Sequence, residues 1–177
     1  MSQQPTTTTS FFKIALLVFV GIWLVRFVWP AKGPDVGMKL PELAVAGWFN
    51  GPGPTPADLA GKIVAIDCWA TWCGYCIQAF PDLVTLHEKY APRGVVLIGL
   101  TSETADDGPR ISAVLDAHSD VAWPIGFGAG EVLDRFGVRA LPTYILFDRT
   151  GTAVWAGHSH AELAGRVDRL LANGDEA

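Results

Sequence analysis

The chain has 177 residues, half of them hydrophobic and 18% charged, with 13 Lys and Arg against 18 Asp and Glu and a formal net charge of −5. That composition excludes intrinsic disorder, and the acidic balance argues against a nucleic-acid partner, because phosphate binding needs a surplus of basic residues. Three cysteines are too few for a disulfide scaffold, and the length suits one core-forming domain with a short extra segment.

That segment is N-terminal. Residues 1–10 form a polar tail, and the twelve residues from Ile14 to Val25 carry no charge and no polar side chain. Counted from Phe11 to Trp29, a helix would span about 28 Å, close to the roughly 30 Å hydrocarbon core of a bilayer. Lys13 and Arg26 lie near its ends, where long basic side chains reach the interface, and Trp29 suits the same level. Residues 11–29 are therefore expected to form a transmembrane anchor. A cleaved signal peptide and a buried core helix are the alternatives, but no good small-x-small site precedes Pro34. Loop charge leans the wrong way for orientation, with Lys13 on one side and Arg26 and Lys32 on the other.

Residues 30–41 read as a Pro- and Gly-rich linker, and residues 42–174 as the domain. After residue 33 the chain holds 10 basic and 18 acidic residues, a net −8. Glu42 to Phe49 is expected as a strand, Ala57 to Ala60 as a helical turn and Lys62 to Trp69 as a buried strand. Cys73 to Tyr90 reads as a helix containing Pro81, and Val95 to Leu100 as a second buried strand. Pro109 to His118 has a helical pattern, and Gly130 to Phe136 is a short helix closed by Gly137. Thr143 to Asp148 and Thr152 to Ala156 make a hairpin. Ser159 and Glu162 form a capping box that opens a last helix, ended by Gly174. This order indicates a mixed sheet with helices on both faces, its apolar strands central and parallel.

Cys73 and Cys76 form a C-x-x-C where a strand enters a helix. Cys73 falls at the helix N-terminus, where unpaired N–H groups and the helix dipole favour a thiolate. Cys76 follows one turn later, within disulfide reach. A thiolate at a helix start beside a second thiol is the unit of thiol–disulfide exchange. Half of a zinc site is the other reading of such a pair. No second Cys pair exists, however, and His87, His118, His158 and His160 show no ligand spacing to it.

The segment Asp67-x-Trp69-Ala70-x-Trp72-Cys73-Gly74-x-Cys76, with Pro81 eight residues after Cys73, resembles the active-site segment of thioredoxin. Phe136 to Thr143 resembles the thioredoxin segment that carries its cis-proline. The lead-in Leu59 to Val64, the anchor and the longer middle section look more like the membrane-tethered TlpA/ResA branch. The resemblance covers about residues 40 to 173. It implies a thioredoxin fold, with Cys73 as attacking nucleophile, Cys76 as resolving thiol and a redox-active Cys73–Cys76 disulfide. Pro142 would be cis, with Leu141 offering its backbone to substrate and Trp72 shielding the disulfide. Asp67 would move the proton of the resolving thiol, and Pro81 would kink the helix.

Two departures stand out. Many members of that branch have Glu three residues after the second Cys, where this chain has Ala79, so proton handling falls to Asp67. Thioredoxin has Pro where this chain has Tyr75, and that dipeptide helps set redox potential. Cys68 is expected to be a buried, inert thiol, and His158 and His160 to serve the mouth of the last helix. The expectation is a membrane-anchored thiol–disulfide oxidoreductase, N-terminus cytoplasmic and domain extracytoplasmic, where protein disulfides form and need correcting. It would act as a monomer, without cofactor or metal, on protein disulfides and with an upstream thiol–disulfide electron partner. A peroxiredoxin-like thiol peroxidase and a copper or zinc chaperone using the same Cys pair are the competing readings.

Overall fold

The computed structural model describes residues 34–174 and, ahead of them, Val18. The expected anchor (apart from Val18), the polar tail and linker residues 30–33 lie outside the described residues. Among the described residues no helix is long and apolar enough to cross a membrane. Contacts divide the chain after Lys32, and the fold below is that of the unit Gly33–Ala177.

Six strands form one sheet: β1 (Gly47–Phe49), β2 (Ile63–Cys68), β3 (Val95–Leu100), β4 (Ile125–Phe127), β5 (Thr143–Phe147) and β6 (Ala153–Gly157), in the order β1-β4-β3-β2-β5-β6. β2 and β3 pair in parallel at the centre, and β5 and β6 add an antiparallel hairpin. Every β2 residue is buried, as expected of a strand covered on both faces. Five helices complete the fold: α1 (Pro56–Leu59), α2 (Gly74–Tyr90), α3 (Gly108–Ala117), α4 (Gly130–Arg135) and α5 (His160–Gly174).

Strand alternation sorts the core into two layers. Ile63 and Ala65 face a cluster with Phe80 and Leu83 of α2, Ile111 of α3 and Val167 of α5. Val64, Ile66 and Cys68 face a second cluster with Val132 and Leu133 of α4 and the incoming segment around Met38 and Leu43. Each large aliphatic or aromatic side chain so buried contributes on the order of 1.5–3 kcal/mol. Asp67 is in phase with Ile63 and Ala65, so its carboxyl belongs to the α2 layer. Cys68 points the other way, fully buried as a free thiol, and burial pushes its pKa well up.

Two expectations change. Glu42 to Phe49 is a strand only from Gly47, because its partner β4 is three residues long and offers no further ladder. β4 lies outside every predicted element. Ile125-Gly126-Phe127 is too short for periodicity, and it becomes a strand because β3 and β1 pair with its two edges. The α2 helix runs unbroken from Gly74 to Tyr90 with Pro81 inside it.

Candidate active site

The site sits at the C-terminal end of β2, where the chain leaves the sheet and turns into α2. Cys73 is the N-cap residue of α2, in extended conformation (φ −86°, ψ 91°), and its Sγ accepts the Cys76 N–H at 3.2 Å. An N-cap side chain takes up one of the helix's orphan donors, and here the acceptor is sulfur. A negative charge on that sulfur gains from the same N–H and from the helix dipole. Cys73 and Cys76 are joined by a disulfide with Cα atoms 5.3 Å apart. Cys73 lies at the surface edge with 6% of its area exposed, whereas Cys76 is 1% exposed. An incoming thiol or disulfide therefore reaches Cys73 first.

The disulfide opens onto a shallow groove of about 350 Å³ lined by Trp72, Gly74, Tyr75, Gln78 and Leu141. Trp72 and Tyr75 are largely exposed. The Leu141–Pro142 peptide is cis. His158 braces this turn from just beyond β6, its Nδ1–H donating to the Pro142 carbonyl at 2.7 Å, since a carbonyl can only accept. His160 instead pairs with Asp82 of α2, Nε2 to Oδ2 at 3.0 Å. A larger cavity of about 480 Å³, between Leu40, Trp48, Leu59 and Arg149, lies at the opposite ends of the strands and holds no cysteine.

Asp67 is 1% exposed, and neither carboxyl oxygen has a hydrogen-bond partner. Desolvation raises its pKa from 3.8 to about 7. Its cross-strand neighbours are Gly99 on β3 and Tyr144 on β5. A Cβ on Gly99 would overlap Ile125 Cδ1 and crowd the Trp69 indole nitrogen. The Tyr144 hydroxyl and the indole nitrogens of Trp69 and Trp123 are also buried without partners. Burial, then the negative charge of Asp67, pushes the Tyr144 phenol up.

A second buried acid, Glu103, follows β3 and was absent from the sequence reading. Its Oε2 accepts the Thr71 N–H at 2.9 Å and the Thr101 hydroxyl at 3.0 Å, and its Oε1 accepts the Thr71 hydroxyl. The available signal was position. Glu103 comes just past the C-terminal end of a central parallel strand, the edge of an α/β sheet where functional groups collect. No cluster of three or more His, Cys, Asp or Glu suited to a metal ion occurs among the described residues.

The family model described as AhpC/TSA family matches residues 36–156, which is most of the folded unit. The chain belongs to the AhpC/TSA family. It is 28% identical over 121 residues to the thiol-disulfide oxidoreductase ResA of Bacillus thuringiensis subsp. konkukian, the match covering 68% of each chain. It is 34% identical over 119 residues to the protein DipZ of Mycobacterium tuberculosis, covering 63% of this chain but only 17% of DipZ. Among solved structures, one from Chlorobium tepidum assigned as a thiol:disulfide interchange protein DsbE superposes with a TM-score of 0.64. It is 28% identical, and the match covers 78% of this chain and 99% of that one. The fold is thioredoxin-like, and with a bonded Cys pair at the head of α2 the family member is a thiol–disulfide oxidoreductase of the ResA, DsbE and DipZ type.

Proposed function

We propose that this family member is a membrane-tethered thiol–disulfide oxidoreductase that exchanges disulfides with protein substrates outside the cytoplasm. One observation carries the reading. The Cys73–Cys76 disulfide caps a helix N-terminus at the surface, and an unpartnered buried carboxyl, Asp67, belongs to the layer beneath it.

In the reducing direction the Cys73 thiolate attacks one sulfur of a substrate disulfide. A Cys73–substrate S–S bond forms, and the other substrate sulfur leaves as a thiolate. Cys76 then gives up its proton and attacks Cys73 Sγ. The internal disulfide forms, the second substrate sulfur leaves, and two electrons have passed from the dithiol to the substrate. Asp67, with a pKa near neutrality, is the group suited to take the Cys76 proton. No residue on α2 shares that duty at Ala79. Oxidation of substrate dithiols is the same sequence reversed. Trp72, Leu141 and Pro142 form the wall against which the substrate strand lies. The length and apolar character of residues 11–29 support the anchor, and the disulfide chemistry supports an extracytoplasmic domain.

A trapping experiment tests this. In the full chain, Cys76→Ser should accumulate mixed disulfides between Cys73 and cellular proteins in the membrane fraction, visible on non-reducing gels and lost on reduction. Cys73→Ser should form none. Without residues 1–32, the same adducts should move to the soluble fraction. Equal trapping by Cys73→Ser and Cys76→Ser variants overturns the assignment of nucleophile. Single-cysteine peroxide turnover by Cys73 in the Cys76→Ser variant would favour a thiol peroxidase instead.

A further inference from the structure

Glu103 has two features that point beyond packing. Its partners are neutral donors, the Thr71 N–H and the hydroxyls of Thr71 and Thr101, an arrangement that suits a carboxylate acting purely as acceptor. Its own backbone is fastened to the sheet edge. The Glu103 N–H donates to Thr101 Oγ1 at 3.2 Å, and its carbonyl accepts the Gly128 N–H at 2.7 Å. Thr101 is in turn tied to Gly126 and Ala129 at 2.9 Å each. Thr71 is the next link outward. It sits inside the Ala70–Cys73 turn, closed by the Cys73 N–H on the Ala70 carbonyl at 3.0 Å, which delivers Cys73 to its N-cap position. A continuous hydrogen-bonded path therefore joins β4, the segment after β3 and the turn that presents the reactive sulfur.

We propose that Glu103 is a positioning residue for the exchange reaction. Its carboxylate clamps Thr71 and, from behind the turn leading into Cys73, opposes thiolate formation there, so that the dithiol is a stronger reductant than the helix N-terminus alone would make it. The inference rests on the reading of Cys73 as nucleophile. The physical basis is a balance of fields. The helix N-terminus stabilises negative charge on Sγ, and a fixed anion hydrogen-bonded to Thr71, two residues before Cys73, destabilises it. A thiolate less stabilised in the reduced form favours the oxidised form, which is the mark of a reductant. Besides Glu103, the titratable groups placed near Cys73 among the described residues include Cys76 and Tyr75 on α2, Asp67 on β2 and His158 on the Pro142 carbonyl. Glu103 is the one joined to the turn by side-chain hydrogen bonds among the described residues.

The test separates charge from hydrogen bonding. In the reduced full-length protein, the Cys73 pKa is read from the pH dependence of iodoacetamide labelling, followed by peptide mapping. Glu103→Gln keeps the size and an acceptor but removes the charge. It should lower the Cys73 pKa by about half to one unit, a 3- to 10-fold gain in thiolate below that pKa. The equilibrium with glutathione should move toward the reduced protein. Thr71→Val keeps the charge and loses one hydrogen bond, so it should lower the melting temperature and leave the Cys73 pKa in place. The proposal is overturned if Glu103→Gln leaves both pKa and equilibrium unchanged, or if Thr71→Val lowers the pKa equally. Cys73→Ser distinguishes the two levels. If that variant still exchanges disulfides, the nucleophile reading fails. If it is inactive while Glu103→Gln is silent, only the role of Glu103 fails.

Discussion

Asp67 and Glu103 are both acids buried beside one disulfide, and their surroundings are opposite. Asp67 stands on a strand between Gly99 and Tyr144 with no hydrogen bond to either oxygen. Glu103 stands on a loop with three donors directed at its carboxylate. A buried carboxyl without donors keeps its proton to higher pH and can trade it near neutrality, whereas one surrounded by donors holds shape. On the proposed reading, two residues of the same chemical class divide the work, Asp67 handling a proton and Glu103 setting the turn and the field at Cys73. Neither residue alone reveals that division.

The largest effect should come from Asp67→Asn. The folded carboxyl titrates at about 7 against an ordinary 3.8, so between those values the folded protein keeps a proton that the unfolded chain has released. The parent's stability therefore falls as pH rises from about 4 through 7, and the variant escapes that loss. At pH 8 the oxidised variant should be the more stable by up to about 4 kcal/mol, the difference vanishing below pH 4, as denaturant titrations across pH would show. Its turnover with a protein disulfide should fall about tenfold or more near neutral pH. A variant that turns over like the parent from pH 6 to 9 makes Asp67 a purely structural residue.

Glu103→Ala should move stability the other way. It strands the Thr71 N–H and hydroxyl in the half-buried turn and the buried Thr101 hydroxyl, at a cost of about 1–3 kcal/mol in urea denaturation at pH 8. If both acids proved destabilising on removal, the contrast between them would collapse. The smallest effect is expected of Tyr144→Phe. Its hydroxyl is buried without a partner, so the variant should match or exceed the parent's stability, by less than about 1 kcal/mol. A clear loss would show that the phenol serves Asp67 through a hydrogen bond, and would blunt the view of Asp67 as a lone acid.

Local pattern carried much of this protein into view. Cys73 and Cys76 were legible because a strand-to-helix junction can be read from periodicity, and a helix start favours a thiolate. Asp67 was legible through the resemblance of the Asp67–Cys76 segment to the active-site segment of thioredoxin. The hairpin Thr143–Gly157 and the Ser159 cap of α5, whose Oγ accepts the Glu162 N–H at 3.3 Å, also follow from neighbours in sequence. What tertiary structure alone decided lies between distant segments. β4 became a strand only because two other strands claimed its edges, and His158 came to brace Pro142 across the β5–β6 pair. Glu103 meets Thr71, 32 residues earlier, because the parallel return of β3 beside β2 brings both strand ends to one rim. No period in the sequence encodes that meeting. It arises when buried strands pair and every polar group at their ends must find a partner or keep its proton.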